Sequence, residues 1–174
     1  YAFSSCTSLT NITIPDNVIS IGCYAFLCCS NLSKINIPGN LTSLFFYAFS
    51  EYENLTNITI PDSVIFICSY AFSYCTSLTN ITIPDNVTSI DSYAFSYCTS
   101  LTSFIYKGLS DPGKQSLNVF YNSPNLKEVI VPRNYFDNKF CQLPVKKQTQ
   151  PIKIDHTSKI GKPKRNYIFL LLMR

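Results

Sequence analysis

The sequence predicts an α/β solenoid, in which repeated units stack and their short strands form one parallel sheet. The triplet Tyr-Ala-Phe returns at a constant step of 23 residues, at Tyr1, Tyr24, Tyr47, Tyr70 and Tyr93. Aliphatic residues return with the same period, beginning with Leu9, Ile12 and Ile14. A unit of this size cannot bury its own hydrophobic face, so its neighbours in the chain must cover that face.

The pattern Leu-x-x-Ile-x-Ile at Leu9, Ile12 and Ile14 predicts the sheet strand of each unit. The two isoleucines alternate with polar residues, so they face the core while the residues beside them face outward. Stacking then produces two rows of exposed side chains. The first ladder is Asn11, Lys34, Asn57, Asn80 and Ser103, and the second ladder is Thr13, Asn36, Thr59, Thr82 and Ile105.

The rest of each unit is predicted to turn two corners. Pro15 lacks a backbone donor and ends the strand, and Pro-Asp-Asn supplies a turn before a second extended piece at Val18 to Ile21. The segment that returns through Tyr-Ala-Phe is short, so we expect one tight helical or 3₁₀ turn there.

The string AFxxCxxLxxIxIPxxVxxI, present at Ala2 to Ile21 and Ala71 to Ile90, resembles the leucine-rich repeat of the BspA-like surface antigens. The resemblance covers residues 1–105. It implies a right-handed, curved leucine-rich-repeat solenoid with the parallel sheet on its concave face, and a surface protein used in adhesion or host-matrix binding. The chain departs from this pattern at two positions of the repeat. Tyr52 replaces the repeated cysteine, and Phe45 and Cys68 occupy the position equivalent to Gly22.

We expect three segments along the chain. Residues 1–105 form five units, and residues 106–141 form a degenerate sixth unit with a cap made by Tyr135, Phe136 and Phe140. The stretch VPRNYFDNKFC resembles the closing segment of protozoan members of the family. We expect residues 142–174 to form a disordered basic linker with a short apolar tail. Because Tyr1 lies inside a repeat, we expect the chain to be a fragment of a longer protein.

The net charge of +4 hides an uneven distribution. Residues 1–105 hold one lysine and six acids, or 1 − 6 = −5, whereas residues 106–174 hold 13 basic residues and four acids, or 13 − 4 = +9. The basic residues are not interleaved with stacking aromatics, so we expect no nucleic-acid partner. The apolar run from Tyr167 to Met173 is far shorter than the roughly 20 residues of a membrane helix, so no membrane span is expected.

Little in the sequence points to catalysis or metal binding. Cys6, Cys29, Cys75 and Cys98 are one repeated position, no CxxC pair occurs, and His156 is the sole histidine. We therefore expect no enzyme, no metal site and no cofactor. Buried thiols are favoured over disulfides at the repeated cysteines. Seven Asn-x-Ser/Thr sequons occur, at Asn11, Asn31, Asn40, Asn54, Asn57, Asn80 and Asn86. Glycans on Asn11, Asn57 and Asn80 would project from the ladders and compete with ligand binding there.

The leading hypothesis is a non-enzymatic binding module that holds a protein or glycan partner, such as host matrix or a cell surface, through its concave face. The candidate residues are Asn11, Thr13, Lys34, Asn36, Asn57, Thr59, Asn80, Thr82 and Ser103. The family resemblance places the protein at the cell surface or in secreted form. The alternative is a structural or cytoplasmic interaction scaffold without a dedicated ligand site, in which exposed aromatics such as Tyr74 and Tyr97 make the contacts.

Overall fold

The structure is a computed structural model and describes residues 1–149. We number the units from Tyr1, Tyr24, Tyr47, Tyr70 and Tyr93. The strands in chain order are β1 (Asn11–Thr13), β2 (Lys34–Asn36), β3 (Ser43–Leu44), β4 (Phe66–Ile67), β5 (Asn80–Ile83), β6 (Ser89–Ile90), β7 (Ser103–Tyr106), β8 (Val129–Val131), β9 (Lys139–Phe140) and β10 (Leu143–Lys147).

Strands of successive units pair in parallel, one repeat apart. Asn11 pairs with Lys34 and Ile12 with Ile35 across β1 and β2, and Ile81 pairs with Phe104 across β5 and β7. The second extended piece forms its own parallel sheet in the order β3, β4, β6. The predicted leucine-rich-repeat solenoid is thereby confirmed.

The core is one continuous column of equivalent side chains. The isoleucine position that begins at Ile12 becomes steadily more buried along the stack, with 7% of Ile58, 2% of Ile81 and 0% of Phe104 exposed. Phenylalanines of the Tyr-Ala-Phe triplets stack beside it, with ring centroids 5.3 Å apart at Phe72 and Phe95. Each unit therefore covers the hydrophobic face of the one before it.

The return segments contain no helix within residues 1–149, so the α part of the predicted α/β class, and the helical turn expected there, do not apply to that region. The backbone instead makes hydrogen-bonded turns that include left-handed residues. The first tyrosine of units two to five has a positive φ, between 54° and 62°, and so does the residue four positions later, between 57° and 64°. Backbone N–H groups of these residues donate to the following unit, as from Tyr74 to the Ser96 carbonyl at 2.9 Å.

The front sheet, which carries the two ladders, is interrupted, whereas stacking of the units predicted one continuous sheet. β1 and β2 form a two-stranded sheet, and β5, β7, β8, β10 and β9 form a separate sheet. Unit three contributes only an isolated bridge between Thr59 and Thr82. The interruption coincides with a wide spacing in the phenylalanine column, 6.1 Å between Phe26 and Phe49, where the bulkier Tyr52 fills the cysteine slot and meets Phe49 edge-on.

The sheet extends past the sixth unit. Ile130 of β8 pairs with Ile105 of β7, and Lys146 of β10 pairs with Ile130. The expectation of disorder from residue 142 is therefore wrong for residues 143–147, because their backbone adds a further strand to the open edge. The remainder of the predicted linker and tail, residues 150–174, lies outside the described residues.

Aromatic residues close this end of the stack. Tyr135 and Phe140 are 2% and 0% exposed, as expected of a cap, whereas Phe136 is 75% exposed and does not take part. Asp111 holds the closing segment in place, since its carboxylate accepts hydrogen bonds from the backbone N–H groups of Gly113 at 2.9 Å and Cys141 at 2.8 Å.

Candidate functional site

The candidate site is the outer surface of the front sheet, which we call the front face. The strands alternate buried and outward residues, so Asn80 and Thr82 of β5 face outward while Ile81 and Ile83 are buried. The same alternation holds in β1 and β2, where Asn11, Thr13, Lys34 and Asn36 are exposed. The structure thus places all nine predicted residues on one surface, in the two predicted ladders.

The three asparagines of the first ladder are oriented by the threonine that precedes each of them. Nδ2 of Asn80 donates to Oγ1 of Thr79 at 3.0 Å, and the equivalent bonds from Asn11 and Asn57 are 3.3 and 3.4 Å long. The Thr79 hydroxyl in turn donates to the Thr56 carbonyl of the preceding unit at 3.2 Å. Each of the bonds from an asparagine uses one of the two N–H groups of Nδ2, so within residues 1–149 the second N–H and the side-chain carbonyl of each asparagine are left for a ligand.

Two adjoining grooves run along the front face. The first, of about 560 Å³, is lined by Asn57, Thr59, Asn80 and Thr82. The second, of about 400 Å³, lies over the interruption between units two and three, and its lining includes Asn11, Thr13, Lys34, Asn36, Asn57 and Thr59. Asn57 and Thr59 line both grooves, so the two grooves adjoin at unit three and together include eight of the nine candidates, whereas Ser103 lies outside them.

Three further polar residues line the first groove and were missed by the sequence argument. Asp62 lies in the turn that follows Pro61, while Lys107 directly follows β7 and Gln148 directly follows β10. The groove therefore carries a carboxylate, an ammonium group and an amide beside the ladder residues. The repeat pattern alone did not identify Lys107 and Gln148, because both lie outside the regular units.

A second set of asparagines has a structural role. Nδ2 of Asn31, Asn54 and Asn86 donates to the backbone carbonyls of Thr7, Ser30 and Asp62, all in the preceding unit, at distances of 2.7 to 2.8 Å. These bonds join neighbouring units outside the sheets. The seven sequons thus fall into two groups: Asn11, Asn57 and Asn80 on the front face, and Asn31, Asn40, Asn54 and Asn86 donating to the previous unit.

Three of the four repeated cysteines, Cys29, Cys75 and Cys98, are buried in the core, whereas Cys6 of the first unit is exposed, contrary to the expectation of a buried thiol there. Sγ of Cys29, Cys75 and Cys98 donates to the carbonyl of the phenylalanine one unit earlier, at 3.1, 3.3 and 3.2 Å. Burial raises the pKa of Cys75 to about 12, which keeps it a thiol at neutral pH. Within residues 1–149, no three His, Cys, Asp or Glu side chains come together as metal ligands.

These features define a leucine-rich-repeat solenoid. A family model described as "BspA type Leucine rich repeat region" matches residues 1–127 and 47–154, with six copies of the repeat. The chain belongs to this family. The comparison with curated proteins found no significant match.

Solved structures show the same fold. A leucine-rich repeat protein from Bacteroides ovatus is 31% identical, with a TM-score of 0.64 over 78% of this chain and 36% of that one. A leucine rich cell surface protein from Faecalibacterium prausnitzii is 38% identical, with a TM-score of 0.58 over 60% of this chain and 28% of that one. The chain therefore matches about a third of the length of these proteins.

The family and these structures make the chain a repeat-based module of the kind that serves protein interaction. Membership of this family is consistent with a surface or secreted location, as is the cell-surface description of the F. prausnitzii protein. Residues 1–149 contain no helix long and apolar enough to cross a membrane. The protozoan resemblance of the closing segment remains a prediction.

Proposed function

We propose that this chain is a non-enzymatic binding module of a surface or secreted protein, and that its front face holds an extended protein or glycan partner by hydrogen bonds. The observation that carries the proposal is the pair of adjoining grooves lined by eight of the nine candidate residues. A rigid row of amide and hydroxyl groups, repeated once per unit, matches a partner whose own polar groups repeat along its length.

The composition of the two grooves favours a polar, hydrogen-bonded ligand over an apolar one. The ladder asparagines and threonines supply uncharged donors and acceptors, while Asp62 adds one negative charge and Lys34 and Lys107 add two positive ones. Asparagine side chains held by neighbouring threonines lose little rotamer freedom on binding, which lowers the entropic cost of recognition.

The test is the quadruple variant Asn57→Ala, Thr59→Ala, Asn80→Ala and Thr82→Ala. Binding of the purified full chain to a glycan array and to immobilised extracellular-matrix proteins is measured, with circular dichroism as the check on folding. At about 0.5 to 1.5 kcal/mol per hydrogen bond, loss of these groups should weaken binding at least about tenfold.

The matched control is the double variant Thr42→Ala and Thr88→Ala, which removes exposed threonines from another side of the solenoid. It should bind like the wild type. Unaltered binding by the folded quadruple variant would reject the front face as the site and favour the scaffold alternative. Surface labelling of intact cells tests the location, and a chain recovered solely from the cytosol would contradict it.

A further inference from the structure

We propose that Tyr74 and Glu51, on the return side of the solenoid, form a second binding site that takes a lysine or arginine side chain of a partner protein. The return side is the surface formed by the Tyr-Ala-Phe segments and the residues that follow them. The proposal does not depend on the front face, because the two surfaces use different residues.

Tyr74, like Tyr1, stacks on another ring on one face only among the described residues. Its ring stacks on Tyr97 with centroids 4.3 Å apart and planes 6° from parallel, and Tyr74 is 44% exposed. By contrast, Tyr47 is sandwiched between Tyr24 and Tyr70, at 5.0 and 4.6 Å. A sandwiched ring offers its edge and hydroxyl, whereas Tyr74 offers a π face.

Glu51 stands beside that open face because it is the equivalent residue one unit earlier. The Glu51 N–H donates to the Ser73 carbonyl at 2.8 Å, and the Tyr74 N–H makes the same bond to Ser96 at 2.9 Å, so the two residues occupy the same slot in successive units. No ring stacks on Tyr74 from this direction among the described residues. The column of stacked rings at this slot therefore ends at a carboxylate.

A ring face next to a carboxylate is the arrangement that recognises a cation. Cation–π contact is worth about 0.5 to 1 kcal/mol at an exposed site, and a carboxylate adds a charge-assisted hydrogen bond. Glu51 is exposed, and its Oε2 accepts a bond from the Cys28 thiol at 3.0 Å. That bond orients the carboxylate, and within residues 1–149 its Oε1 makes no hydrogen bond and is free to accept one from the cation.

The surroundings favour a basic partner. Residues 1–105 carry a net charge of −5, and their one base, Lys34, lies on the front face. Tyr121, 47% exposed, meets Tyr97 edge-on at 5.5 Å and extends the aromatic surface. Such a surface covers the aliphatic stems of lysine and arginine, and the neighbouring carboxylate of Glu51 attracts their charges.

The probe is a fluorescein-labelled hexa-arginine peptide, with hexaglutamate as its counterpart, titrated with the full chain and followed by fluorescence anisotropy. Glu51→Tyr continues the column of rings over the open face of Tyr74, and Tyr74→Leu removes the ring. Both should weaken arginine-peptide binding about threefold or more, while Tyr74→Phe, which keeps the ring face, should remain within twofold of the wild type.

Glu53→Gln is the matched control, since it removes the same charge from the same unit at a different position. It should weaken binding less than Glu51→Gln does. Equal effects of the two would overturn the proposal in favour of general electrostatic attraction. Hexaglutamate reports on the basic region from residue 106 onward, and its binding should not change in Glu51→Tyr. Full affinity of hexa-arginine for Glu51→Tyr would also overturn the proposal. Loss of arginine-peptide binding in the folded front-face quadruple variant would show that the peptide binds the front face. That result would also overturn the proposal.

Discussion

A single residue, Tyr52, marks the irregular place in the stack. The cysteines at this position in units two, four and five donate to the phenylalanine carbonyl of the previous unit, a bond that Tyr52 does not make. Its side chain is completely buried, and within the described residues its hydroxyl has no hydrogen-bond partner. Tyr52 therefore fills space between units at the cost of one desolvated hydroxyl.

Replacing Tyr52 with phenylalanine should raise the free energy of unfolding by about 1 kcal/mol, because the unpaired hydroxyl disappears and the ring packing stays. Urea denaturation measures the change. Tyr135→Phe is the control, since that buried hydroxyl donates to the Lys139 carbonyl at 3.1 Å and its removal should lower stability by about 1 kcal/mol. A loss of stability in Tyr52→Phe as large as in Tyr135→Phe would contradict this account.

At the scale of elements, the front strands were predictable and the return segments were not. Ile12 and Ile14 alternate with outward Asn11 and Thr13, and this period of two is visible in one unit and repeated in the next. Non-glycine residues at positive φ cost about 1 to 2 kcal/mol each. No glycine or proline marks these positions, so their geometry follows from stacking and bonds between units, which a local pattern does not contain.

The same reasoning applies to the candidate site. The nine ladder positions follow from alternation and period, so their shared face was predictable. The grooves depend on the interruption at unit three and on the approach of Lys107 and Gln148, which the tertiary arrangement sets. The sequence therefore predicted which residues form the ladders but did not predict the two grooves that those residues line.

Asparagines of one unit give a direct comparison between a structural and a ladder position. Asn54→Ala removes the 2.8 Å bond to the Ser30 carbonyl of the preceding unit and should lower the free energy of unfolding by about 1 kcal/mol. Asn57→Ala should change stability by less than about 0.5 kcal/mol, because within the described residues its amide donates a hydrogen bond only to the exposed neighbouring Thr56. Thermal denaturation of the two variants measures the difference, and equal losses would show that the ladder amide also holds the units together.

At the scale of the whole molecule, thiols and phenols are buried in the core that runs through the stack. Burial raises the pKa of Cys75 to about 12, and burial, with a smaller effect from Asp111, raises that of Tyr106 to about 12. Burial also raises the pKa of Cys98. In the unfolded chain these groups ionise at their ordinary values, about 8.5 for cysteine and about 10 for tyrosine. Folding therefore favours their protonated forms.

This difference predicts loss of stability in alkali. The stabilisation is fully present below the unfolded pKa values and is lost as the pH rises through the folded ones, because the unfolded chain then binds fewer protons than the native protein. Each such group lowers the free energy of unfolding by up to about 1.4 kcal/mol per pH unit in that window. Urea unfolding at pH 7, 9 and 10.5, with a reductant present, should show a steepening decline.

Cys75→Ala isolates one contribution to the decline. It lowers stability at pH 7 by leaving a cavity, yet it should flatten the slope above pH 9 because one titrating thiol is gone. Cys6→Ala, which removes an exposed thiol, should leave the slope unchanged. A free energy of unfolding that stays constant from pH 7 to 10.5 would mean that water reaches the buried thiols and phenols. It would contradict the close stacking of the units.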